Sequence, residues 1–257
     1  MQRKNILIVG CSFSYQSNNE NAWPDWLREK YNDKLYVVNL SISGASNKLI
    51  KRILTTNLLI EKWDYVIIQW STIDRWDYPI TYDKNPMFVE YCKNGSNLQD
   101  KRKYFYEHYY SVYGAVIDTL ENILFTQQLL DSENIPYSMI TIGNLFTLST
   151  TIQQIQNLMN SGGDYYGLKE NVLEKMETIT TLCSNSDSIP FLLKKINYDK
   201  FIFSDDERNP MGGGMLEWLY KEKNEYPKNN WHFNGEQSKK FLNEFILPNI
   251  LVKNNLL

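Results

Sequence analysis

Histidine and cysteine are scarce in this chain. Its 257 residues hold two histidines, His108 and His232, and three cysteines, Cys11, Cys92 and Cys183. Two histidines nearly exclude a multi-histidine metal site, and any mechanism that needs an imidazole base must use one of them. The cysteines lie far apart and form no Cys-x-x-Cys pair, so neither a zinc knuckle nor a disulfide framework is supported. There is no block of five Lys or Arg residues, and the net charge is −3, which argues against a nucleic-acid groove as the main function. No apolar run approaches the 18 residues of a membrane span, and no basic region precedes a long apolar segment at the start. The expectation is a chain with no signal peptide, cytoplasmic or otherwise soluble. Neither G-x-G-x-x-G nor a Walker glycine loop follows the first strand, and no cofactor is expected.

What is present is an ordinary globular composition, 42% hydrophobic and 22% charged. A chain of this length can bury roughly 75% of its unfolded surface and needs no disulfide or metal to hold a core. One α/β domain over residues 1–257 is the expectation. The apolar run Ile6 to Val9 ends at Gly10, a helical stretch begins near Pro24, and a second apolar run covers Leu35 to Leu40. Asn47 to Lys62 carries apolar residues at Leu49, Ile50, Ile53, Leu54, Leu58 and Leu59, which lie on one helical face. Asp64 to Trp70 is apolar at its centre, as expected of a parallel strand covered on both sides.

Residues 71–106 are rich in Asp, Lys, Asn and aromatics with little periodicity, and are read as an inserted lid. Helix is predicted from about Glu107 to Glu133, and strand over Tyr137 to Ile142. Thr147 to Ile196 reads as helical in pieces, Tyr198 to Phe203 as a last short strand, and Met211 to Gly214 as a flexible turn. Asn234 can cap a final helix, with Gln237 three residues on and an apolar face of Phe241, Leu242, Phe245 and Ile246. The alternation of strand and helix predicts a three-layer α/β/α sandwich with a mostly parallel sheet.

Ligands of such sheets sit beyond the carboxyl ends of the strands. Those places hold Gly10-Cys11-Ser12-Phe13-Ser14, Ser41-Ile42-Ser43-Gly44-Ala45-Ser46-Asn47 and Ser71-Thr72-Ile73-Asp74-Arg75, all three small and hydroxyl-rich. A serine in a tight turn between strand and helix can expose its Oγ, with its own N–H pointing at the atom it attacks. Ser12 is placed that way.

These residues resemble the SGNH or GDSL-type hydrolases. Gly10-Cys11-Ser12-Phe13 stands where that family carries Gly-Asp-Ser-Leu. Asn39-Leu40-Ser41-Ile42-Ser43-Gly44 is similar to its second block. His232, in Trp231-His232-Phe233-Asn234-Gly235, falls just before the C-terminal helix, as the family's histidine does. The blocks cover almost the whole chain in order and spacing. The resemblance implies acyl transfer through an acyl-enzyme, with Ser12 as nucleophile, His232 as general base, and the N–H groups of Ser12 and Gly44 as oxyanion donors.

Two positions depart from the family. Its third block is Gly-x-Asn-Asp, and Ile73 stands at the position of the donor Asn. Either Ser71 or Thr72 supplies a hydroxyl instead, or the hole has two donors. The aspartate expected two or three residues before the histidine is replaced by Asn230 and Asn229. An Asn can orient an imidazole but adds no charge, and loss of the triad carboxylate can cost about 10⁴-fold. A distant acid, Asp205, Asp206 or Glu222, is the alternative.

Bland readings stand beside these. A serine after a strand is commonly a helix cap, Cys11 reads as a small buried residue, and His108 as a packing residue among tyrosines. Asp74 and Arg75 by default pair or cap the third strand, although Arg75 can bind an anionic substrate group. Trp76 and Trp231 are candidates for substrate contact, since flat rings stack on sugars. The expected function is a serine ester hydrolase acting on an acyl, typically acetyl, ester of a carbohydrate, with a small-molecule or glycan substrate. The rivals are an acyltransferase using the same serine and histidine, and a degenerate glycan-binding or structural module.

Overall fold

The run Lys4–Val9 forms strand β1, and its last four side chains are fully buried. In the computed structural model, residues 3–15, 20–73, 75, 108–143, 188–204, 213–223 and 233–257 are described. Helix α1 (Trp23–Lys30) opens with Pro24 in its first turn, and the Asp25 carboxylate accepts from the N–H of Ala22 at 3.1 Å. Strand β2 (Leu35–Asn39), helix α2 (Asn47–Leu58) and strand β3 (Tyr65–Trp70) follow. Helix α3 (Val112–Ser132) leads to strand β4 (Tyr137–Thr141), which completes the sheet.

The strands pair in the order β2-β1-β3-β4, and every pairing is parallel. All six residues of β3 and all five of β4 are buried, which is why both read as continuous apolar runs rather than alternating ones. Helices flank this sheet, and the architecture is the expected α/β fold with a parallel sheet. The predicted lid at 71–106 lies, beyond residues 71–73 and 75, outside the described residues.

Several boundaries differ from the sequence expectation. α2 stops at Leu58 rather than Lys62 because the carbonyl of Asn57 collects the N–H groups of Ile60 and Glu61 and the indole N–H of Trp63. Those bonds turn the chain back toward β3 and leave Leu59 85% exposed despite its apolar side chain. α3 begins at Val112 rather than near Glu107, where the Ser111 hydroxyl accepts from the N–H of Gly114 at 3.2 Å. His108, expected to pack, is exposed in the turn just before it.

The strand expected over Tyr198 to Phe203 does not form. A tight turn at Tyr198–Lys200 takes its place, and Phe201 makes one isolated parallel bridge to Met139. The Gln127 amide fixes the entry to that turn, accepting from the N–H of Asn197 at 2.9 Å and donating to its carbonyl at 2.8 Å. The expected flexible turn at 211–214 is, over Gly213 and Gly214, a buried and tightly packed one. A Cβ on Gly214 would sit 2.5 Å from the carbonyl oxygen of Thr141, so the end of β4 leaves room for glycine alone. Helices Ser188–Lys195 (α4) and Met215–Lys223 (α5) flank these turns.

The final helix α6 (Gly235–Phe241) starts at the predicted capping box, with Asn234 accepting from the N–H of Gln237 and Gln237 accepting from that of Asn234. It continues over Leu242–Val252 in a wider π-type winding that contains Pro248. Proline has no N–H for the ordinary helical bond and crowds the carbonyl four residues back, which the wider winding accommodates. Phe241, Leu242, Phe245 and Ile246 are all buried, as their spacing predicts.

Candidate active site

The turn after β1 carries Ser12, which is 7% exposed. What holds this turn is one side chain from the neighbouring strand. The Gln69 Oε1 atom accepts from the Cys11 N–H at 3.1 Å, the Cys11 thiol at 3.3 Å and the Ser14 hydroxyl at 3.3 Å. Its amide nitrogen donates to the carbonyl of Trp70 at 2.8 Å, so the amide bridges β3 and the serine turn. The Trp23 indole N–H donates to the Ser14 hydroxyl at 3.0 Å, tying α1 to the same point. Gly10 permits this approach, because a Cβ there would lie 2.9 Å from Gln69.

The loop after β2 is locked to the serine turn through Asn39. Its amide donates to the carbonyl of Ser14 at 2.7 Å while its oxygen accepts from the N–H of Ser41 at 3.1 Å. The N–H of Ile42 donates to the carbonyl of Gly10 at 3.1 Å. Gly44 follows with φ of 79°, a left-handed conformation that favours glycine. Asn47, at the start of α2, does the same for the third loop: its oxygen accepts from the N–H of Ser71 at 2.7 Å and its amide donates to the carbonyl of Ser71 at 3.2 Å. All three hydroxyl-rich loops are thus pinned by amide side chains, those of Gln69 and Asn47 buried and that of Asn39 partly so.

Arg75 reaches back over this edge, and its Nη2 lies 3.5 Å from Ser12 Oγ. Ile73, at the position of the family's donor Asn, is buried. Several buried polar atoms at this edge have no hydrogen-bond partner among the described residues: Ser41 Oγ after β2, Trp70 Nε1 and Ser71 Oγ at the end of β3, and Thr141 Oγ1 at the end of β4. Thr126, elsewhere, shares that property among the described residues. Buried polar groups are nearly always paired, so those gathered along this edge make it the candidate ligand surface.

The C-terminal segment reaches the same edge. The ring of Phe233, which follows His232 in the chain, meets the ring of Phe13, which follows Ser12, edge-on with centroids 5.6 Å apart. Phe233 also packs against Trp218 and Phe241, and the N–H of Gly235 donates to the Glu20 carboxylate at 2.7 Å. His232, Asn229, Asn230, Trp231 and Trp76 themselves lie outside the described residues. Of the expected site residues, Ser12, Gly44, Ser71, Thr72 and Arg75 are placed at the carboxyl edge of the sheet or in the loops leaving it.

Gln69, Asn47 and Ser14 are the residues that sequence reasoning passed over. A signal was available for Gln69, the one uncharged polar side chain inside the apolar run Tyr65–Trp70. No group of three or more His, Cys, Asp or Glu side chains suited to a metal ion occurs among the described residues.

No protein-family model matches the sequence, and no curated protein matches it. Solved structures with a similar chain course are esterases. An acetylxylan esterase from Geobacillus stearothermophilus, Axe2, shares 13% identity over 95% of this chain and 92% of its own, with a TM-score of 0.42. A mutant of the esterase AlinE4 shares 14% over 99% and 97%, with a TM-score of 0.41. The esterase EstA from Pseudoalteromonas sp. shares 16% over 71% and 100%, with a TM-score of 0.34. A likeness this distant assigns no residue a role.

Proposed function

We propose that this chain is a serine ester hydrolase of SGNH type that removes acyl groups, acetyl among them, from a carbohydrate through an acyl-enzyme on Ser12. The observation that carries the reading is the contact of Phe13 with Phe233, which brings the neighbours in sequence of Ser12 and His232 together although some 220 residues separate them. Beside it stand the serine turn held by Gln69 and the positive charge of Arg75 at the serine oxygen.

In this reading Ser12 Oγ attacks the ester carbonyl carbon while its proton passes to the His232 imidazole. The bond to the sugar oxygen then breaks, and His232 returns the proton to that oxygen as the alcohol leaves. Water, giving a proton to His232, attacks the acyl carbon and releases the carboxylic acid as Ser12 recovers its hydrogen. The N–H groups of Ser12 and Gly44 stabilise the oxyanion. Ser71, whose buried hydroxyl has no partner among the described residues, or Thr72 supplies the donor that Ile73 cannot. Arg75 adds a charge that strengthens as the oxyanion develops, which is the condition for rate enhancement rather than mere binding. Asn229 or Asn230 orients the imidazole, and Trp76 and Trp231 contact the sugar.

The test is labelling with a fluorophosphonate probe alongside hydrolysis of a short aryl ester. Wild type should label and turn over, while Ser12→Ala and His232→Ala should lose activity by at least about 10³-fold. Equal activity in all three would refute the assignment. Product analysis with and without an acceptor sugar separates hydrolysis from acyl transfer.

A further inference from the structure

Helix α1 carries two tryptophans three residues apart, Trp23 and Trp26, a spacing that sets them on one face of the helix. Each donates its indole N–H to a different loop. Trp23, fully buried, donates to the Ser14 hydroxyl at 3.0 Å, in the turn that holds Ser12. Trp26, half-buried, donates to the carbonyl of Gly235 at 3.1 Å, three residues after His232. The Lys239 ammonium of α6 stands 5.0 Å over the Trp26 ring and backs it.

The other side of the same glycine is held as well. The Glu20 carboxylate, just ahead of α1, accepts from the N–H of Gly235 at 2.7 Å. Side chains of one short stretch thus grip the peptide groups on both sides of Gly235 from more than 200 positions away. The ring pair of Phe13 and Phe233 joins the same two stretches a third time. None of this is needed to start the final helix. The Asn234 to Gln237 capping box already closes its first turn, and the first helical N–H is commonly left to water. A carboxylate brought to that N–H decides where the helix start stands rather than whether the helix forms.

We propose that α1 is a spacer between nucleophile and base, with Trp26 and Glu20 as positioning residues that set where the loop of His232 stands relative to Ser12. The inference rests on the esterase reading. Trp23 fixes the spacer on the serine turn and Trp26 fixes it on the histidine loop, so a rise of about 4.5 Å along a rigid helix separates the two anchors. Proton transfer from a hydroxyl to an imidazole tolerates little drift, and a displacement of about 1 Å can cost about 10²-fold in rate.

The full chain is tested by its rate of fluorophosphonate labelling, by kcat and KM on a short aryl ester, and by the NMR ring signals of its two histidines. Trp26→Phe and Glu20→Ala should each lower labelling and kcat about tenfold with KM unchanged, while Glu20→Gln, which keeps an acceptor, should stay within about twofold of wild type. Gly235→Pro removes the N–H that Glu20 meets without opposing the helix: proline suits the first helical position, Asn234 before it is already extended, and an added Cβ lies 3.9 Å from Glu20. It should match Glu20→Ala, and the two combined should be no slower than either alone. The His232 ring signals should move in these variants while those of His108, exposed before α3, hold. In a chain that labels, unchanged kcat, unmoved His232 signals, a rise in KM in place of the fall in kcat, or equal movement of the His108 signals overturns the proposal. A chain that fails to label while its His232 signals respond to the substitutions keeps the spacer and loses the esterase, and one that shows neither loses both.

Discussion

The two ends of the parallel sheet are built on opposite rules. At the amino end the loops are closed by paired groups. The Asp64 carboxylate accepts from the N–H of Asn5 at 2.7 Å, the Asp64 N–H donates back to the Asn5 carbonyl at 2.9 Å, and the Asn5 amide donates to the carbonyl of Lys62 at 3.3 Å. The N–H of Lys4 donates to the carbonyl of Lys34, and that of Val66 to Pro136. At the carboxyl end the backbone is pinned just as firmly, by Gln69, Asn39 and Asn47, yet Ser41, Ser71, Thr141 and Trp70 keep buried polar atoms without partners among the described residues. The difference teaches that rigidity and satisfaction are separate properties. On the proposed reading the carboxyl edge is the active one, and it needs the first and gives up part of the second so that its polar groups can meet a ligand.

The comparison can be broken by substitution, and the largest effect is expected at Gly214. Gly214→Ala drives a Cβ to 2.5 Å from the Thr141 carbonyl and 2.8 Å from the Gly143 nitrogen, both backbone atoms that must shift. A loss of about 1–3 kcal/mol is expected in urea unfolding, as for other overpacked positions. Next comes Gln69→Leu, which strips the shared acceptor from Cys11 and Ser14 and should cost about 1–3 kcal/mol. Its signature is that ester hydrolysis falls about 10²-fold with KM little changed, because a serine displaced by an ångström loses its alignment.

Asp64→Ala at the amino end should cost about 1 kcal/mol in the same unfolding experiment, while kcat/KM stays at the wild-type value. Smallest in stability is Ser71→Ala, which removes a hydroxyl that no described residue meets. Unfolding should be unchanged or shift upward by up to about 1 kcal/mol, while hydrolysis falls by as much as 10²-fold if Ser71 is the third donor. The contrast between the two ends collapses if Ser71→Ala destabilises as Asp64→Ala does, or if Asp64→Ala slows hydrolysis as Gln69→Leu does.

Much of the fold was legible in the chain because burial on both faces forces an unbroken apolar run. Ile6 to Val9 and Asp64 to Trp70 read as strands, the second as one covered on both faces, and the Asn234 to Gln237 capping box announced the last helix. The reading failed where local pattern met a tertiary contact. Tyr198 to Phe203 has strand-like composition, but Gln127 on a distant helix fixes Asn197 and winds the segment into a turn. Gly213 and Gly214 read as flexibility and serve close packing against Ser204 and Thr141.

For the site, the sequence by itself named the hydroxyl-rich loops, because strand ends of a parallel sheet are the one place where its backbone and helix dipoles converge on a ligand. Local order also put Ser12 in a turn and Gly44 in a bend that needs glycine. The structure alone decided what stands around them: the Gln69 amide under the serine turn, Arg75 rather than Ile73 at the serine oxygen, and Phe233 against Phe13. Those contacts join residues from 55 to more than 200 positions apart, and their geometry depends on where β3 and the C-terminal helix come to rest. Spacing along the chain encodes local conformation, whereas proximity between such distant side chains is created only when the core closes between them.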